Sequence, residues 1–221
     1  MTAQGAHTRF PRGLYGVTPE WEDTPSLLDA VTRAAQGGMT ALQWRRKTGD
    51  PAQRMEQALQ LAQLCKQLGV VFIVNDSIEM ALRVGADGAH LGRDDGPLDQ
   101  ARQALGPGKI LGCSCYDQPE LARQGLAAGA DYVAFGALYP SSVKPGAVRA
   151  TLDHLRRGRA LAEQAGAGLP RRPAVVAIGG LTADNAAPVV RAGADSLALI
   201  SGLFQADDIQ AAARRCSALF G

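Results

Sequence analysis

One short joint, repeated three times, constrains this chain more than any other feature. GADGAHLG at 85–92, GADYVAFG at 129–136 and GADSLALI at 193–200 each lead from Gly-Ala-Asp into an apolar run. The glycine suits the end of a helix, where a left-handed residue stops the turn. The run that follows has the length and composition of a strand buried on both faces, as parallel strands are. Three copies of a helix-to-strand joint imply a repeated β/α architecture.

Reading outward from these joints predicts strands near 14–18, 41–47, 70–76, 88–92, 109–115, 132–139, 174–179 and 197–201. Helical patterns fall at 26–36, 51–68, 77–84, 97–105, 118–128, 149–165, 183–192 and 207–219. Pro51 after Asp50, and Thr182-Ala-Asp-Asn before the seventh helix, are helix-start signals. Eight strands alternating with eight helices in 221 residues predict an α/β TIM (β/α)8 barrel, one domain over 1–221. A doubly wound open sheet is the alternative, and no GxGxxG after the first strand supports it.

Composition narrows the function classes. Apolar residues make up 46% of the chain and the net charge is +2, with both signs interspersed. Neither nucleic acid nor a membrane surface is implied as a partner. Apolar runs are of strand length, and the first residues lack the apolar core of a signal peptide. The four cysteines (Cys65, Cys113, Cys115, Cys216) form no metal-ligand pattern, and a reduced, cytoplasmic protein is expected. His7, His90 and His154 are scattered, and a core or surface role is the default for each.

In a TIM barrel the active site lies at the carboxyl ends of the strands. The third and fourth strands, with a Ser77-capped helix between them, form a βαβ unit over 70–95 that ends in acids: Asn75-Asp76 and Asp94-Asp95. Converging carboxylates suit Mg²⁺, which takes a few of them and keeps waters for a phosphate. Helix capping explains the same acids equally well. The second strand ends Gln43-Trp44-Arg45-Arg46-Lys47. Alternation puts Gln43, Arg45 and Lys47 on one face and Leu42 and Trp44 on the other, under the helices. Two cations aimed into the mouth favour an anion site over a solvated strand end. The fifth strand carries Ser114. The sixth runs into Tyr139-Pro-Ser-Ser-Val-Lys-Pro-Gly146, a loop that could close on a phosphate or simply cover surface. The Gly179-Gly180 pair after the seventh strand and Gly202 beside Ser201 after the eighth sit where this fold often binds phosphate. One side of the mouth thus suits a diphosphate with Mg²⁺ and the other a monophosphate, with no nucleophile set in view.

At these residues the chain resembles the thiamine-phosphate synthase family. The resemblance runs from LYGVTP (14–19) to about Leu203, through QWRRK (43–47), FIVND (72–76), GADGAHLGRDD (85–95), GADYVAFGALYPSSVKPGA (129–147) and AIGGLTADNAAPVVRAGADSLALIS (177–201). It implies a Mg²⁺-dependent transferase that joins a hydroxymethylpyrimidine diphosphate to a thiazole phosphate. It implies that diphosphate leaves first, giving a pyrimidine-methyl cation. It implies Asp76 and Asp95, not Asp94, as metal ligands. Gln43, Arg45, Lys47, Asn75, Ser114 and Lys144 match positions that hold the pyrimidine diphosphate, with Arg45, Lys47 and Lys144 stabilising the departing charge. Ser141, Ser142, Val143, Gly180, Ile200 and Ser201 match the thiazole-phosphate positions. Trp44 and Arg46 replace the family's usual Leu and Glu, on the face away from the mouth. Val143 replaces its common Thr and removes one phosphate contact. A homo-oligomer is compatible with this reading. A thiazole tautomerase on the same barrel would need a base but not the acids and cations kept here, and a non-catalytic phosphate-binding barrel would show no turnover.

Overall fold

The computed structural model describes residues 8–140 and 148–221. The strands and helices alternate as the joints predict. They are β1 (Gly13–Val17), α1 (Thr24–Gln36), β2 (Met39–Trp44), α2 (Pro51–Leu68), β3 (Val71–Asn75), α3 (Ile78–Arg83), β4 (Gly88–Leu91), α4 (Leu98–Leu105) and β5 (Ile110–Tyr116). The second half continues with α5 (Pro119–Ala127), β6 (Tyr132–Phe135), α6 (Leu152–Ala165), β7 (Ala174–Ile178), α7 (Ala187–Arg191), β8 (Ser196–Leu199), α8 (Ser201–Phe204) and α9 (Ile209–Ser217). The eight strands pair in parallel in sequence order, and β8 closes onto β1 to complete the barrel. The open-sheet alternative is thereby excluded.

The repeated joint has a specific physical job. Its glycine takes a left-handed conformation in all three copies, with φ of 67° at Gly85, 85° at Gly129 and 109° at Gly193, which a side chain would resist. The alanine after it is buried. The aspartate then grips the second residue of the preceding strand twice. Asp87 accepts from Phe72 N–H through its carboxylate at 2.8 Å and donates its own N–H to Phe72 O at 2.9 Å. Asp131 does the same to Leu111 (2.8 and 2.7 Å), and Asp195 to Val175 (2.9 and 2.8 Å). The joint therefore satisfies strand-start amides that face away from the helices and sets the register of β3–β4, β5–β6 and β7–β8. A fourth, altered copy is Gly38-Met39-Thr40: Gly38 has φ 98° and the Thr40 hydroxyl donates to Leu14 O at 3.2 Å.

Alternation along the strands makes two cores. Leu42, Trp44, Phe72, Val74, Leu91, Leu111, Val133 and Val175 point outward and pack beneath the helices. Tyr15, Val17, Ala41, Ile73, Tyr132, Ala134, Val176 and Ala198 point inward. Phe10, fully buried just before β1, packs on Tyr15 and Tyr132 and closes the amino-terminal end of the barrel.

Some boundaries differ from the sequence expectation. β2 stops at Trp44 and β6 at Phe135, short of the predicted 47 and 139. Past Phe135 the chain still bonds to the end of β7, Leu138 N–H to Ile178 O at 3.1 Å and Tyr139 N–H to Gly179 O at 3.0 Å. β8 ends at Leu199, and Ser201 opens the short helix α8 instead of closing the strand. Thr182–Asn185 is a loop, and the seventh helix starts at Ala187. Asn185 spends its side chain within that loop, accepting from Thr182 N–H and donating to Gly180 O, both at 2.9 Å.

Candidate active site

A cavity of about 630 Å³ opens at the carboxyl ends of the strands. Gln43, Arg45, Lys47, Asn75, Asp76, Asp95, Ser114 and Ile200 all line it. Gly180 and Ser201 flank it: Gly179 lines the wall beside Gly180, and Ser201 follows Ile200. A Cβ at Gly180 would collide with the Pro140 carbonyl, and one at Gly202 with the Leu181 carbonyl. The loops after β6, β7 and β8 therefore touch one another, and only glycine permits the approach. Ser141, Ser142, Val143 and Lys144 lie outside the described residues. Ala137 and Val148, on either side of that segment, both line the cavity.

The wall has a charged side and an apolar side. On the charged side Lys47 Nζ pairs with Asp76 at 2.9 Å. Asp76 stands directly after β3 in a left-handed conformation (φ 63°), with its N–H donated to His90 O at 2.8 Å. That geometry turns its carboxylate toward Asp95. Asp95 sits in the turn after β4, accepting from Gly92 N–H at 2.7 Å. The two carboxylates interact. Burial alone would raise Asp76, but hydrogen bonds from Lys47 and Asp95 outweigh it and hold Asp76 below the usual carboxylate range. Burial, with ionised Asp76 alongside, pushes Asp95 above that range. Two carboxylates competing for one proton are a donor set that a hard divalent cation would relieve. No cluster of three or more His, Cys, Asp or Glu side chains suited to a metal occurs among the described residues. A cation here would complete its shell with water and phosphate oxygens, as Mg²⁺ prefers.

Glu20, in the β1–α1 loop, organises the basic side and was not singled out from the sequence. It accepts from Arg45 Nη1 (3.0 Å), from Lys47 N–H (3.0 Å) and from the Thr48 hydroxyl (3.3 Å). It thus holds the strand end after β2 has stopped, and keeps Arg45 and Lys47 on the mouth side that alternation assigns them. Arg46 points the other way and is buried, 3.9 Å from Glu22. The apolar side consists of Val17, Ala134, Val176, Ile178, Ala198 and Ile200. Alanine at 134 and 198 leaves room for flat rings against the wall.

His90, by default a core or surface residue, is part of the floor. Its Nδ1 lies 3.0 Å from the Tyr132 hydroxyl and its Nε2 2.9 Å from Ser114 Oγ. Burial lowers its pKa to about 4, so it is neutral at pH 7, with Asp76 opposing the shift only in part. The Tyr15 and Tyr132 hydroxyls, both buried, are pushed well above their ordinary range and stay protonated. Neither tyrosine was singled out from the sequence.

The chain is similar to known proteins over nearly its whole length. The family model described as thiamine monophosphate synthase matches residues 14–203. A thiamine-phosphate synthase of Bordetella pertussis is 58% identical over 96% of both chains. One from Aromatoleum aromaticum is 52% identical over 95% of this chain and 96% of its own. The solved structure of a thiamine phosphate pyrophosphorylase from Pyrococcus furiosus superposes with a TM-score of 0.78 at 31% identity, over 94% of this chain and 95% of that one. On these matches and this barrel, the chain belongs to the thiamine-phosphate synthase family, transferases of thiamine biosynthesis.

Proposed function

We propose that the chain condenses a hydroxymethylpyrimidine diphosphate with a thiazole phosphate, releasing diphosphate and forming thiamine phosphate. The observation that carries this reading is the juxtaposition of Arg45, Lys47, Asp76 and Asp95 on one side of a single cavity, opposite an apolar wall. Asp76 and Asp95 would hold Mg²⁺, which supplies charge neutralisation for the leaving diphosphate. Arg45 and Lys47 bind and orient the diphosphate, and their charge favours its departure. Lys144 adds a third cation by its family position. The departing diphosphate leaves a pyrimidine-methyl cation for the thiazole nitrogen to attack. Val17, Ala134, Val176 and Ala198 keep water from that carbon, since their surface offers it no hydrogen bond. Gln43, Asn75 and Ser114 orient the pyrimidine. Ser141, Ser142, Val143, Gly180, Ile200 and Ser201 receive the thiazole phosphate. All four cysteines are buried and free, which supports a reducing, cytoplasmic setting. No helix among the described residues is long and apolar enough to cross a membrane.

The test is turnover. Mixing the two phosphorylated substrates with Mg²⁺ should yield thiamine phosphate and diphosphate in equal amounts, and chelation should abolish both. No product under any metal condition would reject the reading.

A further inference from the structure

A row of five hydrogen-bonded side chains crosses the barrel under the cavity. Gln43 Nε2 donates to Tyr15 Oη at 2.7 Å. Tyr15 Oη lies 2.8 Å from Tyr132 Oη, Tyr132 Oη 3.0 Å from His90 Nδ1, and His90 Nε2 2.9 Å from Ser114 Oγ. The row starts on β2 and ends on β5, passing through β1, β6 and β4. Gln43 and Ser114 line the cavity, Tyr15 and His90 form its floor, and Tyr132 lies beneath them.

Counting protons gives the row a direction. Tyr15 accepts from the Gln43 amide, so its own hydrogen goes to the other partner, Tyr132. An unspent hydroxyl hydrogen at a residue this buried would be costly. Tyr132 has accepted from Tyr15, so it donates to His90 Nδ1. With Nδ1 accepting from Tyr132, the imidazole carries its proton on Nε2 and donates it to Ser114 Oγ. Ser114, having accepted, sends its hydrogen into the cavity. At the other end, Gln43 has turned its nitrogen to Tyr15 and offers the cavity its carbonyl oxygen.

We propose that Tyr15, Tyr132 and His90 are positioning residues that fix this direction, making Gln43 an acceptor and Ser114 a donor toward the pyrimidine. That pairing suits an aminopyrimidine, whose amino group donates and whose ring nitrogens accept. It disfavours a ring with the opposite pattern, because turning the Gln43 amide over requires reversing every bond in the row. The proposal rests on the pyrimidine-diphosphate reading above.

Two experiments test it. The first uses ¹⁵N-histidine NMR of the full chain at neutral pH, with the His90 signals identified by their loss in His90→Gln. The Nε2–H tautomer is expected, and the Nδ1–H tautomer would overturn the proposal. This readout needs no turnover, so it remains informative if the wild-type chain makes no thiamine phosphate and the functional reading itself fails. The second is kinetic. Tyr132→Phe and Ser114→Ala should each lower kcat/KM for the pyrimidine diphosphate by about tenfold, the scale of one lost hydrogen bond. KM for the thiazole phosphate should not change. Because Tyr132 acts through Ser114, the double variant should also lose about tenfold. A loss of about a hundredfold, or an equal rise in both KM values, would show independent or merely structural roles and overturn the proposal.

Discussion

The three aspartates of the repeated joint make the same backbone bonds in different electrostatic settings, so replacing each by asparagine should cost different amounts. Asn keeps an oxygen to accept the strand-start amide, and the substitution therefore tests the charge and not the clamp. Asp195 has 3% side-chain exposure and receives Arg172 at 2.6 and 2.8 Å and Arg159 at 3.1 Å. Arg172 is itself buried, with Nε lacking a partner. Asp195→Asn strands that guanidinium against an amide and should cost about 3–5 kcal/mol, the scale of a broken buried pair. Asp131 pairs with Arg102 at 2.9 Å and Arg9 at 3.4 Å, both arginines more exposed. Asp131→Asn should cost roughly 1.5–3 kcal/mol. Asp87 is exposed, and its carboxylate makes only the Phe72 bond among the described residues. Asp87→Asn should cost under about 1 kcal/mol. Urea unfolding at pH 7 with unchanged m-values measures all three. Equal costs, or Asp87→Asn as the most destabilising, would refute the argument that the arginines and not the clamp set the scale.

Glu20→Gln should raise KM for the pyrimidine diphosphate by about two- to tenfold with little change in stability, because the pairs it makes with Arg45 and Lys47 are partly solvated; an unchanged KM would remove its organising role. Asp95→Asn should raise the Mg²⁺ concentration needed for half-maximal rate by tenfold or more, on the order of a lost carboxylate ligand; full activity at low Mg²⁺ would reject the ligand assignment. Val143→Thr should lower KM for the thiazole phosphate by about two- to tenfold, through one regained hydroxyl contact; identical KM values would count against it. His90 should make the fold acid-sensitive. Its folded pKa, lowered by burial to about 4 from the ordinary 6.5, means the unfolded chain binds the proton first. Stability present above pH 6.5 is thus lost as pH falls toward 4, by up to about 3 kcal/mol. His90→Gln should flatten that limb in unfolding titrations, and an unaltered limb would contradict it.

What the sequence made legible follows from how local each signal is. The Gly-Ala-Asp joint could be read because its work is done within one β/α/β unit: a left-handed glycine, a buried alanine and an aspartate that reaches the preceding strand. The fourth copy at Gly38-Met39-Thr40 went unread because threonine makes only one side-chain bond, to Leu14, in place of the carboxylate clamp. The basic face of Gln43, Arg45 and Lys47 was legible by alternation even though β2 ends at Trp44, because Glu20 holds the strand end in the same sense. Glu20 itself has no periodicity to betray it. The same limit hid the buried row under the cavity. Tyr15, Gln43, His90 and Tyr132 come from four strands whose sequence separations share no period, and closing the barrel is what brings them together. Two of them hold equivalent places in the repeated joint. Gln43 stands five residues after Gly38, and His90 five after Gly85. The corresponding inward positions after Gly129 and Gly193 are Ala134 and Ala198, both on the apolar wall. One repeated register therefore supplies polar groups from β2 and β4 and open space from β6 and β8. The division of the cavity into a side that recognises and a side that makes room follows from which residue occupies that single position in each copy.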